Sequence, residues 1–285
     1  MKAVILAAGY GTRFLPATKT VPKELLPLID KPAIAFVVDE LVAAGAREIL
    51  IVSSRRKKAL EDYFDREVEL ETVFSSEGAA ESLKRIAPPE ISFAFTRQRR
   101  MRGTGHALLQ AQPFVGNDPF LVAYPDDLFL GERLPAVELV ERWRATGCSV
   151  LATLHDPPEL SRYGVLKLDT DGDHVLGIVE KPSPGKEPSR EASVGRFLYT
   201  SEIFEHLRSG WELHLKQHGN DETAEYFHVY ALQRLMEQKA VVFSRCSAER
   251  LDTGTPAGYL QSIIRYAARQ PAYRELLRAE LSRLP

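Results

Sequence analysis

The amino-acid sequence predicts an α/β fold: a Rossmann-like open sheet, mixed but mostly parallel and flanked by helices, with a β-rich extension and a helical C-terminal tail. Three observations predict it. Residues 2–7 form an apolar run with almost no alternation, which is typical of a parallel strand buried on both faces. Strand-like and helix-like segments then alternate to about residue 155, which implies right-handed crossovers. Beyond residue 155, strand-like segments follow one another without helices between them, which indicates an antiparallel or mixed extension.

Each element is predicted from its own pattern. Helix 33–44 carries apolar residues at helical spacing and ends where Gly45 fits a C-terminal cap. Residues 120–123 are wholly apolar, which favours another buried strand, and they run into the acidic pair Asp126 and Asp127. The other predicted strands are 48–52, 91–95, 149–154, 164–168, 174–179 and 192–199, the other predicted helices are 56–65, 104–111, 134–145 and a mostly helical tail at 256–284, and 181–188 is predicted as a surface loop.

The length of 285 residues fits one large α/β domain with an embellishment. A single sheet with an insertion in its second half fits the pattern better than two independent domains. We therefore predict one domain, residues 1–285, in three parts: 1–155, 156–255 and the tail 256–285.

The composition excludes several classes of protein. The formal net charge of −2 argues against binding nucleic acid through bulk electrostatics. No apolar stretch approaches the roughly 20 residues that span a bilayer, so no membrane association is expected. The strand pattern begins at the N-terminus, which leaves no room for a signal peptide. Cys148 and Cys246 are the only cysteines, so a disulfide framework or a structural zinc site is not expected and the cytoplasm is the default location.

The loop after the first strand is suited to bind phosphate. Ligands of open α/β sheets bind beyond the carboxyl ends of the strands. Gly9 and Gly11 allow backbone N–H groups to converge on an anion, and Arg13 adds a cationic fork. The loop lacks the third glycine of a dinucleotide fingerprint, where Phe14 stands, and the Gly-Lys-Ser/Thr of a Walker loop. By themselves these residues also fit a tight turn, and Lys23 also fits a solvated lysine.

These residues carry a resemblance to a known family. The stretches AAGYGTRFLPATK (7–19), PKE (22–24) and DKP (30–32) resemble the bacterial UTP–glucose-1-phosphate uridylyltransferases, a branch of the sugar-nucleotide pyrophosphorylases. The resemblance extends to about residue 205 and thins afterwards. It implies a fold of the nucleotidyltransferase or glycosyltransferase-A-like type, with a nucleotide-binding half at 1–155 and a sugar- and metal-binding half at 156–255.

The resemblance implies attack by the phosphate of glucose 1-phosphate on the α-phosphorus of UTP, which gives UDP-glucose and pyrophosphate. A sugar phosphate is largely dianionic at neutral pH because its second pKa is about 6, so no general base is needed. The site has to align and neutralise two polyanions, which cations and Mg²⁺ can do. The nucleotide-binding candidates are Ala8, Gly9, Gly11, Thr12, Arg13, Lys23, Gln98, Gly103 and Gly105.

Asp126 and Asp252 are the candidate magnesium ligands. Asp126 follows a buried strand at its carboxyl edge, and Mg²⁺ takes one or two protein carboxylates while keeping several waters. Asp252 lies in LDTGT (251–255), a string that resembles thymidylyl-transferring relatives more than the usual uridylyltransferase version. A strand-end turn residue and a loop aspartate are the plainer interpretations, and Asp127 is an alternative ligand.

The candidates for the sugar follow from the motifs YG (163–164), EKP (180–182) and VGRF (194–197). Alternation along a strand puts Glu180 and Lys181 on opposite faces, so both reach one ligand only if the strand ends or bends there. The resemblance assigns the sugar to Tyr163, Gly164, Glu180, Lys181 and Gly195, and the catalytic roles to Arg13, Lys23, Asp126 and Lys181.

The sequence departs from the family in two places and leaves alternatives open. Thr104 stands where relatives often have leucine, and 223–231 replaces an acidic helix-opening segment. The same chemistry with dTTP or another hexose 1-phosphate is the nearest alternative, and a non-catalytic sugar-nucleotide-binding regulator and an NAD-dependent oxidoreductase are remote ones. The resemblance favours a homodimer or homotetramer.

Overall fold

The computed structural model describes residues 1–219, 221 and 223–283. Its strands are β1 (Lys2–Leu6), β2 (Pro27–Leu28), β3 (Lys31–Pro32), β4 (Glu48–Ser53), β5 (Ser92–Arg97), β6 (Phe120–Ala123), β7 (Asp127–Leu130), β8 (Ser149–His155), β9 (Gly164–Leu168), β10 (Val175–Glu180), β11 (Glu191–Tyr199), β12 (Val241–Arg245) and β13 (Glu249–Asp252). Its helices are α1 (Ala33–Ala43), α2 (Ala59–Phe64), α3 (Val68–Ser76), α4 (Ala80–Ile86), α5 (Gly103–Leu109), α6 (Gln112–Val115), α7 (Pro135–Thr146), α8 (Ile203–His218), α9 (Val229–Glu237), α10 (Pro256–Arg269) and α11 (Pro271–Leu281).

One mixed sheet organises the described residues. Its strands run in the order β10, β9, β11, β6, β1, β4, β5, and β8 pairs with both β11 and β12. The pairs of β1 with β4, β1 with β6, β4 with β5 and β12 with β8 are parallel, whereas β11 runs antiparallel to its neighbours. The predicted fold class, with a mixed extension after residue 155, is therefore confirmed.

Strand β1 is buried on both faces because helices cover both sides of the sheet. Ala3 and Ile5 pack into a core layer with α1 and α7, and Val4 packs into the opposite layer with α5, α8 and α9. This arrangement explains the missing alternation in residues 2–7, because neither face of the strand meets water.

A two-stranded ribbon outside the main sheet was not predicted. β7 pairs antiparallel with β13, and Asp252 lies opposite Asp127 in the register. Each strand has only four residues, too few to show a pattern of apolar residues. At least 118 residues separate the two strands along the chain, so their pairing leaves no local signal in the sequence. The ribbon brings the two predicted metal ligands to one end of the sheet.

The predicted strands up to residue 199 are present, with ends within two residues of the expected ones. The predicted tail consists of two helices, α10 and α11, and its last expected residue, Leu284, lies outside the described residues. Helices α3, α4, α8 and α9 were not assigned from the sequence. No helix in the described part of the chain is long and apolar enough to span a bilayer.

Candidate active site

The loop after β1 is a compact turn held by its own hydrogen bonds. Gly11 adopts a left-handed conformation, with φ of 70°, and leads into a 3₁₀ helix at Thr12–Phe14. The hydroxyl of Thr18 donates to the carbonyl of Gly11 at 2.7 Å, which ties the loop to the proline-rich segment that follows. Nη1 of Arg13 donates to the carbonyl of Gly254 at 3.3 Å. The loop therefore presents Arg13 to the segment that contains Asp252.

Lys23 is ion-paired with Asp126. Its Nζ lies 2.7 Å from Oδ2 of Asp126, and both side chains keep partial access to solvent. Burial alone would lower the pKa of Lys23, but the Asp126 and Glu24 carboxylates together outweigh burial and the pKa is raised. Burial alone would raise the pKa of Asp126, but Lys23, a backbone hydrogen bond and Arg250 together outweigh it and the pKa is lowered. Both groups are thus charged at neutral pH, and the ion pair holds the lysine in place.

Lys57 is a second cation of this region that sequence reasoning missed. Its Nζ lies 2.7 Å from Oε1 of the buried Glu24 and also donates to the carbonyl of Ala7 at the end of β1. Burial lowers the pKa of Lys57, and the nearby Lys23 acts in the same direction. Lys57 lies in the run Arg-Arg-Lys-Lys at 55–58, whose sequence resembles a solvated charge cluster, so nothing local marks one member as buried. Gly9 lines one recess with Lys23 and Lys57, whereas Ala8 and Thr12 belong to the same loop but are not among the lining residues.

Asp126 and Asp252 converge on one point. Thr253 donates to the carbonyl of Asp126 twice, from its backbone N at 2.8 Å and its hydroxyl at 2.9 Å. A Cβ atom placed on Gly254 would lie 3.2 Å from Oδ2 of Asp126 and 3.2 Å from Oδ1 of Asp252. Because glycine leaves that point open, the two carboxylates form a cradle of oxygen donors. Such a donor set fits Mg²⁺, which prefers oxygen ligands and keeps several waters.

Asp127 is committed to structural contacts. Its Oδ2 accepts from the backbone N–H of Gly195 at 2.8 Å, and its Oδ1 accepts from Nε of Arg250 at 2.7 Å. Burial and the neighbouring Asp126 raise its pKa, against the opposing effect of Arg250. Since both oxygens are used, Asp126 is the better metal ligand of the acidic pair.

Arg196 supports the turn that carries Asp126. Its side chain is fully buried and forms hydrogen bonds of 3.0–3.1 Å with both carboxylate oxygens of Glu40 in α1. The same guanidinium donates to the carbonyl of Tyr124 at 2.8 Å and to that of Asp127 at 2.6 Å. These bonds fix the backbone on both sides of Asp126. The partners are 156 residues apart in sequence, so the pair could not be read from any local pattern.

Gln98 lies at the end of β5 beside a large cavity. The cavity of about 740 Å³ is lined by Tyr10, Ser54, Gln98 and Met101, among others. The Nε2 of Gln98 donates to the carbonyl of Gly103 at 3.0 Å and lies 3.0 Å from Nδ1 of His106. Both amide protons are thus used within the chain, which leaves the carbonyl oxygen Oε1 to accept from a ligand.

Gly103 and Gly105 allow the approach of another chain segment. A Cβ on Gly103 would lie 2.5 Å from the carbonyl oxygen of Tyr226, and one on Gly105 would lie 2.8 Å from the Tyr226 ring. The N–H of Gly105 donates to the Tyr226 carbonyl at 2.9 Å, and the N–H of Tyr226 donates to the Arg102 carbonyl at 2.9 Å. In this structure the space beside both glycines is taken by the segment around Tyr226. Their contact with a nucleotide stays a prediction.

The two departures from the family, Thr104 and the segment 223–231, contact each other at His228. The hydroxyl of Thr104 lies 2.9 Å from Nδ1 of His228 and accepts from the His228 backbone N–H at 3.3 Å. The hydroxyl of Tyr124 lies 3.2 Å from the same Nδ1. In a neutral imidazole one ring nitrogen accepts and the other donates, so Nδ1 can hydrogen-bond to these hydroxyls without a charge on the ring. Complete burial lowers the pKa of His228 to about 4, which agrees with the neutral form.

The predicted sugar residues form one group. Gly164 opens β9 opposite Glu180, the last residue of β10. Lys181 follows with a positive φ of 47°, and its N–H donates to the carbonyl of Tyr163 at 2.9 Å. The strand thus ends at Glu180 and the chain turns at Lys181, which is the condition for both side chains to serve one ligand. The Tyr163 hydroxyl accepts from Arg250 at 3.2 Å, which connects this group to the Asp127 end of the ribbon.

Gly195 uses its backbone groups in hydrogen bonds within the chain. Its N–H is given to Asp127, and its carbonyl accepts from the N–H of Tyr124 at 2.9 Å and from Arg196 at 2.9 Å. Both backbone groups are therefore occupied within the chain. Its role in binding a sugar stays a prediction, and that role cannot depend on these two groups.

Comparison with known proteins identifies the class. The model of the nucleotidyl transferase family matches residues 2–269, and the chain belongs to that family. The resemblance found in the sequence is confirmed: a UTP–glucose-1-phosphate uridylyltransferase of Staphylococcus epidermidis strain RP62A is 35% identical over 289 residues, covering 99% of this chain and 98% of the relative.

Solved structures agree. A UTP-bound UGPase from Acinetobacter baumannii superposes with a TM-score of 0.86 at 30% identity, covering 100% of this chain and 99% of the other. A UDP-glucose pyrophosphorylase complexed with UDP-glucose gives a TM-score of 0.79 at 33% identity, covering 94% of this chain and 99% of the other. Nucleotidyltransferases of this family generally use a divalent metal ion.

Proposed function

We propose that this chain transfers the uridylyl group of UTP to α-D-glucose 1-phosphate and releases pyrophosphate. The observation that carries the proposal is the convergence of Arg13, Lys23, Asp126 and Asp252 at one end of the sheet. Cations and carboxylates meet there in a chain whose full-length relatives are uridylyltransferases.

In the proposed reaction a phosphate oxygen of the sugar phosphate attacks the α-phosphorus of UTP in line. A new P–O bond forms as the bond to pyrophosphate breaks, and no proton has to move because the attacking group is already a dianion. Arg13 and Lys23 neutralise the phosphates and hold them in register, which lowers the repulsion between the two substrates.

Asp126 and Asp252 would hold Mg²⁺. When bound, the ion supplies charge neutralisation at the phosphoryl oxygens. The ion pair between Lys23 and Asp126 keeps both groups charged and in place before substrates arrive.

Glu180 and Lys181 are proposed to bind the sugar phosphate. A carboxylate accepts from adjacent sugar hydroxyls, and the lysine pairs with the phosphate. The turn at Lys181 lets two consecutive side chains face one ligand.

Gln98 is proposed to read the base. Its free Oε1 accepts from the imide N–H of uracil, and cytosine lacks that donor. Thymine presents the same imide edge and differs by its C5 methyl group. The same chemistry with dTTP is therefore the second candidate, and the string LDTGT around Asp252 favours it.

A nucleotide panel tests the proposal. The purified protein is incubated with glucose 1-phosphate, Mg²⁺ and one of UTP, dTTP, CTP, ATP or GTP, and the product and pyrophosphate are measured. We expect the highest kcat/KM with UTP. A preference for dTTP would replace the first candidate by the second, and absence of product with every nucleotide would contradict nucleotidyl transfer. The same panel is run with the variant Lys23→Ala, and Lys84→Ala, at an exposed position on α4, is its control.

We also propose that residues 1–285 work as one domain, that the protein is a homodimer or homotetramer, and that it is cytoplasmic. The pairing of β6 with β11 joins the two halves in one sheet and supports the first proposal. The other two rest on the family resemblance and on the cysteine content, and size-exclusion chromatography with light scattering tests the oligomeric state.

A further inference from the structure

A cationic cavity lies next to the proposed base-reading residue. Its volume is about 280 Å³, and it is lined by Arg97, Arg99, Arg100, Arg102, His106 and Gln110. None of these lining residues is a carboxylate. Guanidinium groups that line one small space create a positive potential there, which favours the binding of an anion.

Arg102 is the unusual member of this set. It is only 8% exposed, and its Nε atom is buried without a hydrogen-bond partner. Within the described part of the chain no carboxylate lies within ion-pair distance of its guanidinium, which lies over the ring of Trp211 at 5.5 Å. A buried charge without a counter-ion is strongly destabilising, so such groups are normally paired.

Arg99 strengthens the positive potential, whereas Arg97 at the rim is paired with a carboxylate. Arg99 is exposed and has no ion-pair partner among the described residues, and Arg97 lies 3.6 Å from Glu61 at the rim. Arginine binds phosphate oxygens bidentately, because its planar fork matches their spacing. The missing partner of Arg102 therefore has the chemistry of a phosphate group.

The cavity is separate from the proposed catalytic centre. Arg13, Lys23 and Asp126 do not line it. Arg97, Arg99 and Gln110 also line the larger cavity beside Gln98, but Arg102 does not. His106 lies between the two spaces, with its Nδ1 3.0 Å from Nε2 of Gln98. Arg102, like Arg100 and His106, thus lines this cavity and not the larger one beside Gln98.

We propose that this cavity is a second anion site, which binds a small phosphate-bearing ligand on the guanidinium of Arg102. Its volume of about 280 Å³ lies just below the usual range of small-molecule sites, which suits a ligand the size of a phosphate group. The site goes beyond the proposed transfer reaction, and its existence does not depend on which nucleotide the enzyme uses.

The test measures binding of inorganic phosphate by calorimetry at constant ionic strength, with chloride as the balancing anion. The background is the full chain carrying Arg13→Ala and Lys23→Ala, which removes phosphate binding at the catalytic centre. We expect binding in this background to persist and to weaken at least tenfold when Arg102→Gln is added. Arg144→Gln, an exposed arginine on α7, is the matched control and should leave binding unchanged.

Two outcomes would overturn the proposal: binding abolished by the double substitution alone, or binding unaffected by Arg102→Gln. If Arg102→Gln does not fold, Arg99→Gln and Arg102→Lys decide, since each should weaken phosphate binding at least threefold in a folded protein. A parallel titration with methyl phosphate distinguishes free phosphate from a phosphate monoester as the ligand. Tighter binding of either compound supports the site and identifies which of the two it prefers.

Discussion

The Nζ of Lys23 lies 2.7 Å from Oδ2 of Asp126, although 103 residues separate them. The contact joins the segment after the first loop to the end of β6. It neutralises a carboxylate that is proposed to bind a metal, so the lysine has to share Asp126 with any incoming cation. We expect the substrate phosphates to offer Lys23 an alternative anionic partner.

We expect Asp126→Asn to lower kcat by at least about 100-fold, because metal-based charge stabilisation contributes several kcal/mol to such reactions and each tenfold is about 1.4 kcal/mol. Steady-state pyrophosphate release measures the effect, and thermal unfolding verifies that the variant is folded. Asp118→Asn, an exposed aspartate, is the control and should retain full activity. Activity of Asp126→Asn within tenfold of the wild type would exclude Asp126 as a metal ligand.

Chelation should abolish turnover, and added Mg²⁺ should restore it. In Asp252→Asn the concentration of Mg²⁺ that gives half-maximal activity should rise by about tenfold or more, since one of two carboxylate ligands is lost. Activity is titrated against Mg²⁺ after exhaustive treatment with EDTA. Full activity of the chelated wild type would refute the metal-dependent mechanism.

Lys181→Ala should raise the KM for glucose 1-phosphate by about tenfold or more and change the KM for UTP little, because its charge is expected to face the sugar phosphate. Lys186→Ala, in the same surface loop, provides the matched control. Initial rates with each substrate varied in turn separate the two constants. Equal increases in both would show that Lys181 is wrongly assigned.

Glu40→Gln should lower the free energy of unfolding by about 3–5 kcal/mol, because it leaves the buried guanidinium of Arg196 without its counter-charge. Urea unfolding measures this loss. Glu237→Gln removes an exposed pair with Arg234 on α9 and should cost less than about 1 kcal/mol. A cost for Glu40→Gln as small as that of the control would mean that the buried pair does not stabilise the fold.

The stability of the protein should depend on His228 in acid. The folded pKa is lowered to about 4, whereas the unfolded value is about 6.5, so the unfolded chain binds more protons between these values. The contribution of the neutral His228 to the free energy of unfolding is fully present above pH 6.5. It is lost as the pH falls, and the loss reaches about 3 kcal/mol at pH 4. His228→Asn should show a shallower loss of unfolding free energy over this range, and His206→Asn should match the wild type. Parallel curves for wild type and His228→Asn would contradict the neutral, buried histidine.

The sequence predicted the elements whose pattern is local. The buried strand at residues 2–7, the amphipathic helix at 33–44 and the strand ends up to residue 199 follow from the spacing of apolar residues. The site candidates on the loop, at Asp126 and at Asp252 are placed together by the fold, and their ligands stay predictions.

What could not be predicted depends on contacts between distant segments. Lys57 and Arg196 are charged, and charged residues normally lie in solvent. Only the tertiary structure shows that both are buried and that each is paired with a buried glutamate, Glu24 and Glu40 respectively. Gly103 and Gly105 belong to a local motif, but the neighbour that requires glycine at these positions is Tyr226, more than 120 positions further along the chain. Thr104 was a departure without an explanation until His228 was found beside it.

Strand β11 has a consequence for how the gene can be divided. It hydrogen-bonds to β6 along one edge and to β8 along the other. These nine residues therefore join the strands that come before residue 156 to those that come after it. A cut in the connection at residue 156 would leave each fragment with an unpaired apolar strand edge. The fragments would aggregate when made separately and would regain a native sheet only when produced together.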